Sequence, residues 1–228
     1  MARPKQNLLI KLYKKYADEL KEVRKSQREV YSNLPLPLFD DFEAEIVYML
    51  IREYKPGLLC EIGRGNGWTT SWIARALKKN DYGVLLSYDL YPPLSYFPDE
   101  LRGFVRFYTT NVQENTTELF SIKDSAFLLI DAEHSGKFAE WYCKELLPNL
   151  SPTTWVVIHD MVDWFKEERD TVFNYLTQNN IAYLSVCSQH PVNYFNEVKT
   201  LRDELCFDGL IHSGSIVNPS VFFRKGEM

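Results

Sequence analysis

Three glycines at alternating positions, placed directly after a short apolar run, constrain this chain more than any other stretch. The run ends in Glu61, and Gly63, Gly65 and Gly67 follow, with a helix predicted from about Thr70. Alternating glycines let the backbone turn sharply and let a ligand approach it without meeting Cβ atoms. The first N–H groups of the helix have no partner within the helix, so they point at whatever lies over the turn. The stretch therefore predicts a strand, a ligand-binding turn and a helix.

The spacing of the glycines separates two kinds of nucleotide-binding turn. Dinucleotide-binding proteins carry G-x-G-x-x-G, in which the third glycine allows the helix to pack closely on the strand. Trp68 occupies that place here, and its indole would obstruct the contact, so NAD binding is disfavoured. The order acid-x-G-x-G-x-G instead resembles motif I of the class I S-adenosylmethionine-dependent methyltransferases. That resemblance implies that Glu61 orients the methionine end of the cofactor and that the three glycines pass beneath it. A glycine-rich turn without a ligand is the alternative.

Length and composition are those of one α/β domain with a small appendage. The chain has 228 residues, of which 45% are hydrophobic, enough for a sizeable core. Its four cysteines are widely scattered and include no C-x-x-C pair, which argues against a zinc knuckle or a disulfide framework and for a reducing cytoplasm. No apolar run approaches the roughly 20 residues that span a bilayer, and the N-terminus lacks the features of a signal peptide. We therefore expect a cytoplasmic protein.

The N-terminal segment differs from the rest of the chain in charge. Residues 1–31 hold nine Lys/Arg and four Asp/Glu, a balance of +5, so the remaining residues carry −10. Apolar residues recur there at helical spacing, and prolines at 35 and 37 end the helix. We expect an amphipathic helical arm over 1–37 and a cofactor-binding domain over 38–228. The arm would rest on the acidic body and cover the site, or would pack against a second subunit in a homo-oligomer. A basic arm can also bind nucleic acid or membrane, but we expect neither as a partner.

Apolar periodicity predicts the remaining elements as alternating helices and strands. Helices are expected over about 40–54, 70–79, 137–147 and 162–177, with a shorter one near 195–205. Strands are expected over about 84–90, 104–110, 126–130, 154–158, 181–188 and 220–224. Asp89 ends the second strand of the sheet, where a carboxylate can accept hydrogen bonds from both ribose hydroxyls. Asn111 follows the third, where the methyltransferases that this chain resembles carry a polar residue near the adenine. An aspartate and an asparagine that serve only turns are the alternatives.

Five ionisable residues follow the fourth and fifth strands: Asp131, Glu133, His134, His159 and Asp160. The carboxyl ends of parallel strands form the ligand crevice of a doubly wound sheet, so we expect these side chains at one site. A carboxylate that ends an apolar strand is costly to bury without a partner, which favours a functional role for Asp131. Taken alone, His134 is as readily explained as a capping or loop histidine.

The pattern I-D-x-[DE]-H-S, followed by a helix and an apolar strand ending in H-D, resembles methyltransferase family 24 over most of the domain. Related patterns occur in macrocin-type sugar O-methyltransferases and in cephalosporin-hydroxylase-like proteins. The resemblance implies a divalent metal held by Asp131, His159 and Asp160. It also implies Asp131 beside the cofactor and Glu133 as a candidate base. His159 stands where the sugar enzymes carry an acid, and imidazole suits manganese, iron or zinc better than magnesium. The metal therefore stays open, with Mg²⁺ or Mn²⁺ expected. So does the choice of Glu133, His134 or His159 as the base.

The resemblance implies the Rossmann-like class I methyltransferase fold. This is an α/β domain with a mostly parallel seven-stranded sheet, helices on both faces, and a last strand inserted antiparallel between the fifth and sixth. The predicted activity is S-adenosylmethionine-dependent O-methylation of a small hydroxylated metabolite or sugar. Such a hydroxyl group is a poor nucleophile at neutral pH, so a base or a metal is needed to remove its proton. Two alternatives stay open: a non-catalytic cofactor-binding or interaction protein that docks through its basic arm, and a redox enzyme like the hydroxylase-like relatives. His190 and His212 are expected to be structural or substrate-loop residues.

Overall fold

The computed structural model describes residues 4–31, 39–93, 97–211 and 219–226. Its helices are α1 (Pro4–Tyr31), α2 (Asp41–Tyr54), α3 (Trp68–Asn80), α4 (Thr116–Lys123), α5 (Gly136–Trp141), α6 (Lys166–Gln178) and α7 (Phe195–Glu204). Its strands are β1 (Leu58–Ile62), β2 (Val84–Asp89), β3 (Val105–Thr109), β4 (Phe127–Ile130), β5 (Trp155–Ile158), β6 (Tyr183–Leu184) and β7 (Val221–Arg224). Within these ranges, none of the helices combines the length and the apolar character needed to cross a lipid bilayer.

The strands form one sheet in the order β3-β2-β1-β4-β5-β7-β6. β1 pairs in parallel with β2 and β4, β2 with β3, and β4 with β5, whereas β7 runs antiparallel to both β5 and β6. The prediction of a mostly parallel seven-stranded sheet, with an antiparallel last strand between the fifth and sixth, is confirmed. The strand order reverses at β1, so a crevice opens between the ends of β1 and β4, where ligands bind in sheets of this kind.

Alternate strand residues pack into two cores, one on each face of the sheet. In β1, Leu59 belongs to the core that contains residues of α1, α2, α3 and α7. Cys60 and Ile62 belong to the core that contains residues of α4, α5 and α6. Because both faces are covered, the parallel strands are continuous apolar runs, and any acid within them is buried. Glu61, which shares the Leu59 side of β1, is such an acid.

α1 contributes to the first core. Its buried apolar residues there are Leu9, Leu12, Tyr13, Tyr16 and Leu20. Further along the helix, buried Arg24 pairs with Asp41 and with Glu45 of α2, and Arg202 of α7 pairs with the other oxygen of Glu45. Two cations thus balance two carboxylates, which limits the cost of burying them. The division into an arm and a domain at residue 37 stays a prediction, as does the homo-oligomer.

The sixth strand is shorter than predicted. β6 spans only two residues in place of the predicted 181–188, because the chain turns at Ser185. The Ser185 hydroxyl accepts a hydrogen bond from the N–H of Cys187 and lies 2.8 Å from Nδ1 of His190. Nε2 of His190 contacts the carbonyl oxygen of Met161 at 2.9 Å, so both ring nitrogens of this histidine hold neighbouring segments together. His212 lies outside the described residues.

Two helices depart from the predicted pattern. α4 has no counterpart among the predicted elements, because it is short and its few apolar side chains form no helical stripe. Asn115 caps it by accepting a hydrogen bond from the N–H of Glu118 at 3.4 Å. The helix predicted over 137–147 begins at Gly136, but its regular part ends at Trp141, and a π turn and a 3₁₀ turn follow. Neither change moves the strand ends that carry the predicted site residues.

Candidate functional site

A cavity of about 580 Å³ opens at the carboxyl ends of β1 to β4. The predicted site residues that line it are Gly63, Gly65, Asp89, Asn111, Asp131 and Glu133. Those that lie on the same strand ends and loops without lining it are Glu61, Gly67, His134, His159 and Asp160. We call the ends of β1, β2 and β3 the cofactor half of the site, which comprises Glu61, the three glycines, Asp89 and Asn111. We call the loops after β4 and β5 the acid–histidine half, which comprises Asp131, Glu133, His134, His159 and Asp160.

The three glycines of the loop serve three purposes. All have positive φ, a conformation that residues with a Cβ rarely adopt. A Cβ on Gly63 would lie 1.8 Å from the carbonyl oxygen of Asp131, so this glycine lets the ends of β1 and β4 approach each other. A Cβ on Gly65 would meet no atom within 4 Å, and this residue borders the cavity, which leaves room for a ligand over the turn. Gly67, with φ of 80°, is the N-cap of α3.

The Asp89 carboxylate is held by three backbone N–H groups. Arg64 and Gly65 donate to its Oδ2 at 2.9 and 3.2 Å, and Tyr91 donates to its Oδ1 at 3.0 Å. Arg64 is itself buried, and its guanidinium donates to the carbonyl oxygen of Ser87 at 2.9 Å, which fastens the glycine loop to β2. The carboxylate therefore borders the cavity in a fixed orientation and retains acceptor capacity for a ligand. Arg64 is a positioning residue that the sequence motif does not reveal.

Glu61 is fully buried between β2 and α3. Its Oε2 accepts hydrogen bonds from the hydroxyl groups of Thr70 and Ser87, both at 2.7 Å. Its Oε1 has no hydrogen-bond partner in the part of the chain that the structure describes. Burial raises the pKa of Glu61 to about 7, and the two hydroxyl groups offset only part of that rise. Glu61 thus lies beside the glycine loop, behind the residues that line the cavity, and its role in orienting the methionine end of the cofactor stays a prediction.

Asn111 borders the cavity after β3, but its side chain also serves a turn. Its Oδ1 accepts a hydrogen bond from the N–H of Gln113, and its Nδ2 donates to Glu114, both at 3.0 Å. These two contacts support the alternative that Asn111 serves a turn. Its contact with adenine stays a prediction.

His134 lies between buried carboxylates. Its Nδ1 is 2.9 Å from Oε2 of Glu168, and its Nε2 is 3.0 Å from Oδ2 of Asp160 and 3.9 Å from Oδ1 of Asp131. The ring stacks on Phe165 with 4.4 Å between centroids. Burial lowers the pKa of His134, but the hydrogen bonds to Asp160 and Glu168 outweigh it and raise the pKa to about 9. Because Glu168 accepts from Nδ1, Nε2 is the nitrogen presented to the other two carboxylates.

His159 is completely buried, and each of its ring nitrogens faces a carboxylate. Nδ1 is 3.0 Å from Oδ1 of Asp131, and Nε2 is 3.5 Å from Oε2 of Glu43. Burial lowers the pKa of His159, but Asp131 and Glu43 outweigh it and raise the pKa well above its ordinary value. Both nitrogens are therefore engaged by carboxylates, and His159 does not line the cavity. The structure thus places His159 as a link between Asp131 and Glu43.

Asp131, His134 and Asp160 have the spacing of a metal site within the described residues. One ligand atom from each lies within 4.8 Å of the others. This set differs from the expected one, in which His159 stood in the place of His134. The physical reason is that Nδ1 of His159 is engaged by Asp131 and its Nε2 turns towards α2, whereas Nε2 of His134 faces both carboxylates. Two carboxylate oxygens and one imidazole nitrogen suit Mn²⁺ better than Mg²⁺, which prefers oxygen ligands throughout.

Two carboxylates of this region were not among the predicted site residues. Glu43 lies in the first turn of α2 and Glu168 in the first turn of α6, and each contacts one of the two histidines. Acids are common in first turns because they favour the helix dipole, so neither position looks unusual. Glu43 nevertheless carries a signal, since it lies three and four residues before Ile46 and Val47 on the apolar stripe of its helix. A charge on that stripe needs a buried partner.

The central part of the chain matches a known family. Residues 60–161 match the family profile described as a methyltransferase domain, that of methyltransferase family 24. None of the curated proteins compared with this chain matches it.

Solved structures share the fold at low sequence identity. Cofactor-bound Rv0187 from MTB has 11% identity and a TM-score of 0.54, over 92% of this chain and 91% of that one. The O-methyltransferase TomG from Streptomyces achromogenes, involved in tomaymycin synthesis and solved with S-adenosylmethionine, has 12% identity and a TM-score of 0.50, over 90% and 89%. The methyltransferase PaMTH1 from Podospora anserina, solved with S-adenosylhomocysteine, has 12% identity and a TM-score of 0.50, over 91% and 87%. Residues 60–161 of this chain therefore resemble the methyltransferase domain of family 24, and the sheet has the fold that these solved methyltransferase structures share.

Proposed function

We propose that this protein transfers a methyl group from S-adenosylmethionine (SAM) to a hydroxyl group of a small molecule, with a divalent cation bound at the acid–histidine half. The observation that carries the proposal is the cavity over the glycine loop. It has open space above Gly65, and the Asp89 carboxylate is fixed at its wall by three amide groups. The match to a methyltransferase domain and the SAM bound to TomG support the same ligand.

The cofactor half fits SAM group by group. Gly65 lets the ligand pass close to the backbone, because a Cβ is absent where the cavity begins. Asp89 would accept hydrogen bonds from the two ribose hydroxyls, for which an acceptor-only group with two oxygens is suited. Glu61, whose Oε1 lacks a hydrogen-bond partner among the described residues, would accept from the ammonium group. Asn111 borders the same cavity and would lie beside the adenine.

The acid–histidine half fits a divalent cation. Asp131, His134 and Asp160 would hold it, with Glu168 orienting the imidazole of His134 through Nδ1. A carboxylate behind a ligating histidine is the usual way in which proteins fix the ring and its tautomer. When bound, SAM supplies a methyl group activated by its sulfonium, and a divalent cation lowers the pKa of an acceptor hydroxyl group.

Glu133 is the proposed base. It is a carboxylate on the cavity wall, and its Oε1 accepts a hydrogen bond from the Ser135 hydroxyl at 2.6 Å, which leaves Oε2 to take a proton. His159 has no nitrogen directed at the cavity, and the accessible nitrogen of His134 faces Asp160. The hydroxyl proton would pass to Glu133 as the new C–O bond forms and the sulfonium C–S bond breaks. The remaining work of the protein is alignment of the two reactants.

Calorimetric titration of the whole protein tests this function. We expect S-adenosylhomocysteine (SAH) to bind, Mn²⁺ to bind with higher affinity than Mg²⁺, and NADH not to bind. Absence of SAH binding together with tight NADH binding would overturn the methyltransferase assignment. SAH binding without any binding of divalent ions would remove the metal from the proposal but keep the methyl transfer. Gly65→Val should then abolish SAH binding while unfolding stays cooperative, since its side chain would fill the space above the loop.

A further inference from the structure

Glu43 lies outside the matched domain and is fully buried, yet it is connected to the cavity. Its Oε2 is 3.5 Å from Nε2 of His159, and neither of these two atoms has a hydrogen-bond partner within the described residues. Nδ1 of the same ring is 3.0 Å from Oδ1 of Asp131, which borders the cavity. We propose that Glu43 is a positioning residue that fixes the Asp131 carboxylate through His159. The inference rests on the proposed function in so far as Asp131 serves the cation and the cofactor.

The surroundings of Glu43 distinguish it from the other acids at the start of α2. Asp40 caps the helix by accepting the N–H of Glu43 at 2.9 Å. Asp41 and Glu45 pair with arginine side chains from other helices. The ion-pair partner of Glu43 within the described residues is His159. A fully buried carboxylate is costly without polar partners, and His159 is the side chain that faces Oε2 of Glu43.

Both carboxylate oxygens of Glu43 contact other residues. Its other oxygen, Oε1, accepts a hydrogen bond from the N–H of Ser220, just before β7. The sequence of contacts runs from Ser220 through Glu43 and His159 to Asp131, whose side chain is 26% exposed while those of Glu43 and His159 are 0% exposed. The exposed end of this series is the end that would face the cation. A carboxylate–histidine pair behind a ligand is a recognised means of setting ligand orientation.

The test compares Glu43→Gln with Glu45→Gln, a matched control on the same helix with the same loss of a buried charge. Mn²⁺ affinity is measured by electron paramagnetic resonance, SAH affinity by calorimetry, and stability by urea unfolding. We expect Glu43→Gln to weaken Mn²⁺ binding by about 10- to 100-fold, the usual cost of changing an outer-shell partner. Glu45→Gln should lower the unfolding midpoint without changing Mn²⁺ affinity. Equal Mn²⁺ affinity in the wild type and Glu43→Gln, or an equal loss in both variants, would overturn the inference.

Two further measurements keep the inference testable if the first variant or the metal fails. Should Glu43→Gln not fold, His159→Asn keeps a donor near the place of Nδ1 but cannot reach Glu43. It should weaken Mn²⁺ binding by the same factor, and wild-type affinity would count against the inference. Should the wild type bind no Mn²⁺, the metal part of the proposed function fails by itself. The inference is then decided by crystal structures, in which the Asp131 carboxylate leaves its contact with His159 in Glu43→Gln if we are right and keeps it if we are wrong.

Discussion

The two halves of the site hold their carboxylates in different ways. In the cofactor half, Asp89 is bound by three backbone N–H groups and Glu61 by two hydroxyl groups, all of them uncharged donors. In the acid–histidine half, Asp131 and Asp160 are bound chiefly by imidazole nitrogens, which are in turn bound by further buried carboxylates. The first half thus holds its carboxylates with uncharged donors, whereas the second is a network in which carboxylates and imidazoles alternate.

This difference separates two tasks that one cavity must perform. Uncharged donors from the backbone cannot titrate, so they keep a fixed geometry for a ligand that is bound in every turnover. A cluster of carboxylates and imidazoles, in contrast, is stable only while its charges balance, and an added cation changes that balance directly. We therefore expect substitutions in the cofactor half to change mainly the affinity for the cofactor. Substitutions in the acid–histidine half should change mainly the affinity for the ion and the rate of methyl transfer.

The contact that joins the two halves should be the most sensitive to substitution. Gly63→Ala would place a Cβ 1.8 Å from the carbonyl oxygen of Asp131, so the ends of β1 and β4 must separate. We expect a loss of about 2–5 kcal/mol in the free energy of unfolding, from overpacking and the positive φ together. Gly65→Ala is the matched control, because its Cβ meets nothing within 4 Å and costs only the backbone strain, about 1–2 kcal/mol. Equal losses in urea unfolding of the two variants would contradict this account.

Asp160→Asn should impair ion binding at the acid–histidine half and leave the cofactor half unchanged. Asparagine tolerates the positive φ of 59° at this position, so the fold should be retained. We expect Mn²⁺ affinity and methyl transfer to fall by at least about 100-fold, since even an outer-shell change costs about 10- to 100-fold. SAH affinity measured by calorimetry should stay at the wild-type value. Full methyl transfer by the wild type in the presence of a strong chelator would show that no ion is needed and would refute this prediction.

Asp89→Ala should weaken cofactor binding and leave the acid–histidine half unchanged. Removal of the carboxylate takes away the acceptor for the ribose hydroxyls, and hydrogen bonds to a charged group contribute about 1.5–3 kcal/mol. SAH binding should weaken by that amount in calorimetry, while Mn²⁺ affinity stays unchanged. Asp99→Ala, which removes an exposed aspartate from the 3₁₀ helix before β3, serves as the control and should bind SAH normally. If Asp89→Ala binds SAH with the affinity of the wild type, the ribose hydroxyls do not bind to Asp89.

The smallest expected effect is a change in the pH dependence of stability through Glu61. Burial raises the pKa of this acid from 4.5 to about 7, so the folded protein keeps a proton that the unfolded chain releases between those values. The folded state then binds more protons than the unfolded state, and stability falls as pH rises through this window. Glu61→Gln cannot titrate, so its melting temperature should fall less between pH 5 and 8 than that of the wild type. Parallel profiles in differential scanning calorimetry would rule out this contribution.

The frame of the site follows from local signals in the sequence. Apolar runs of strand length and the spacing of Gly63, Gly65 and Gly67 placed β1 and α3 correctly, because these signals are local. The strand ends followed from the same runs, so Asp89 and Asp131 were expected at one edge of the sheet, and both line the cavity. α4 was not predicted and β6 was predicted too long, because one has no apolar stripe and the other is ended by a serine turn.

The pairs of side chains that meet in the acid–histidine half depend instead on long-range packing. His134 and His159 both follow strands and look alike in sequence, yet one turns Nε2 towards Asp131 and Asp160 while the other turns it towards α2. Glu43 and Glu168, which make that difference, come from helices distant in the chain. Their approach depends on how α2 and α6 pack against the sheet and on the side-chain rotamers that this packing allows. A local sequence pattern carries no information about helix packing or side-chain rotamers. The residue types of the site could therefore be predicted from the sequence, whereas the contacts between their side chains could not.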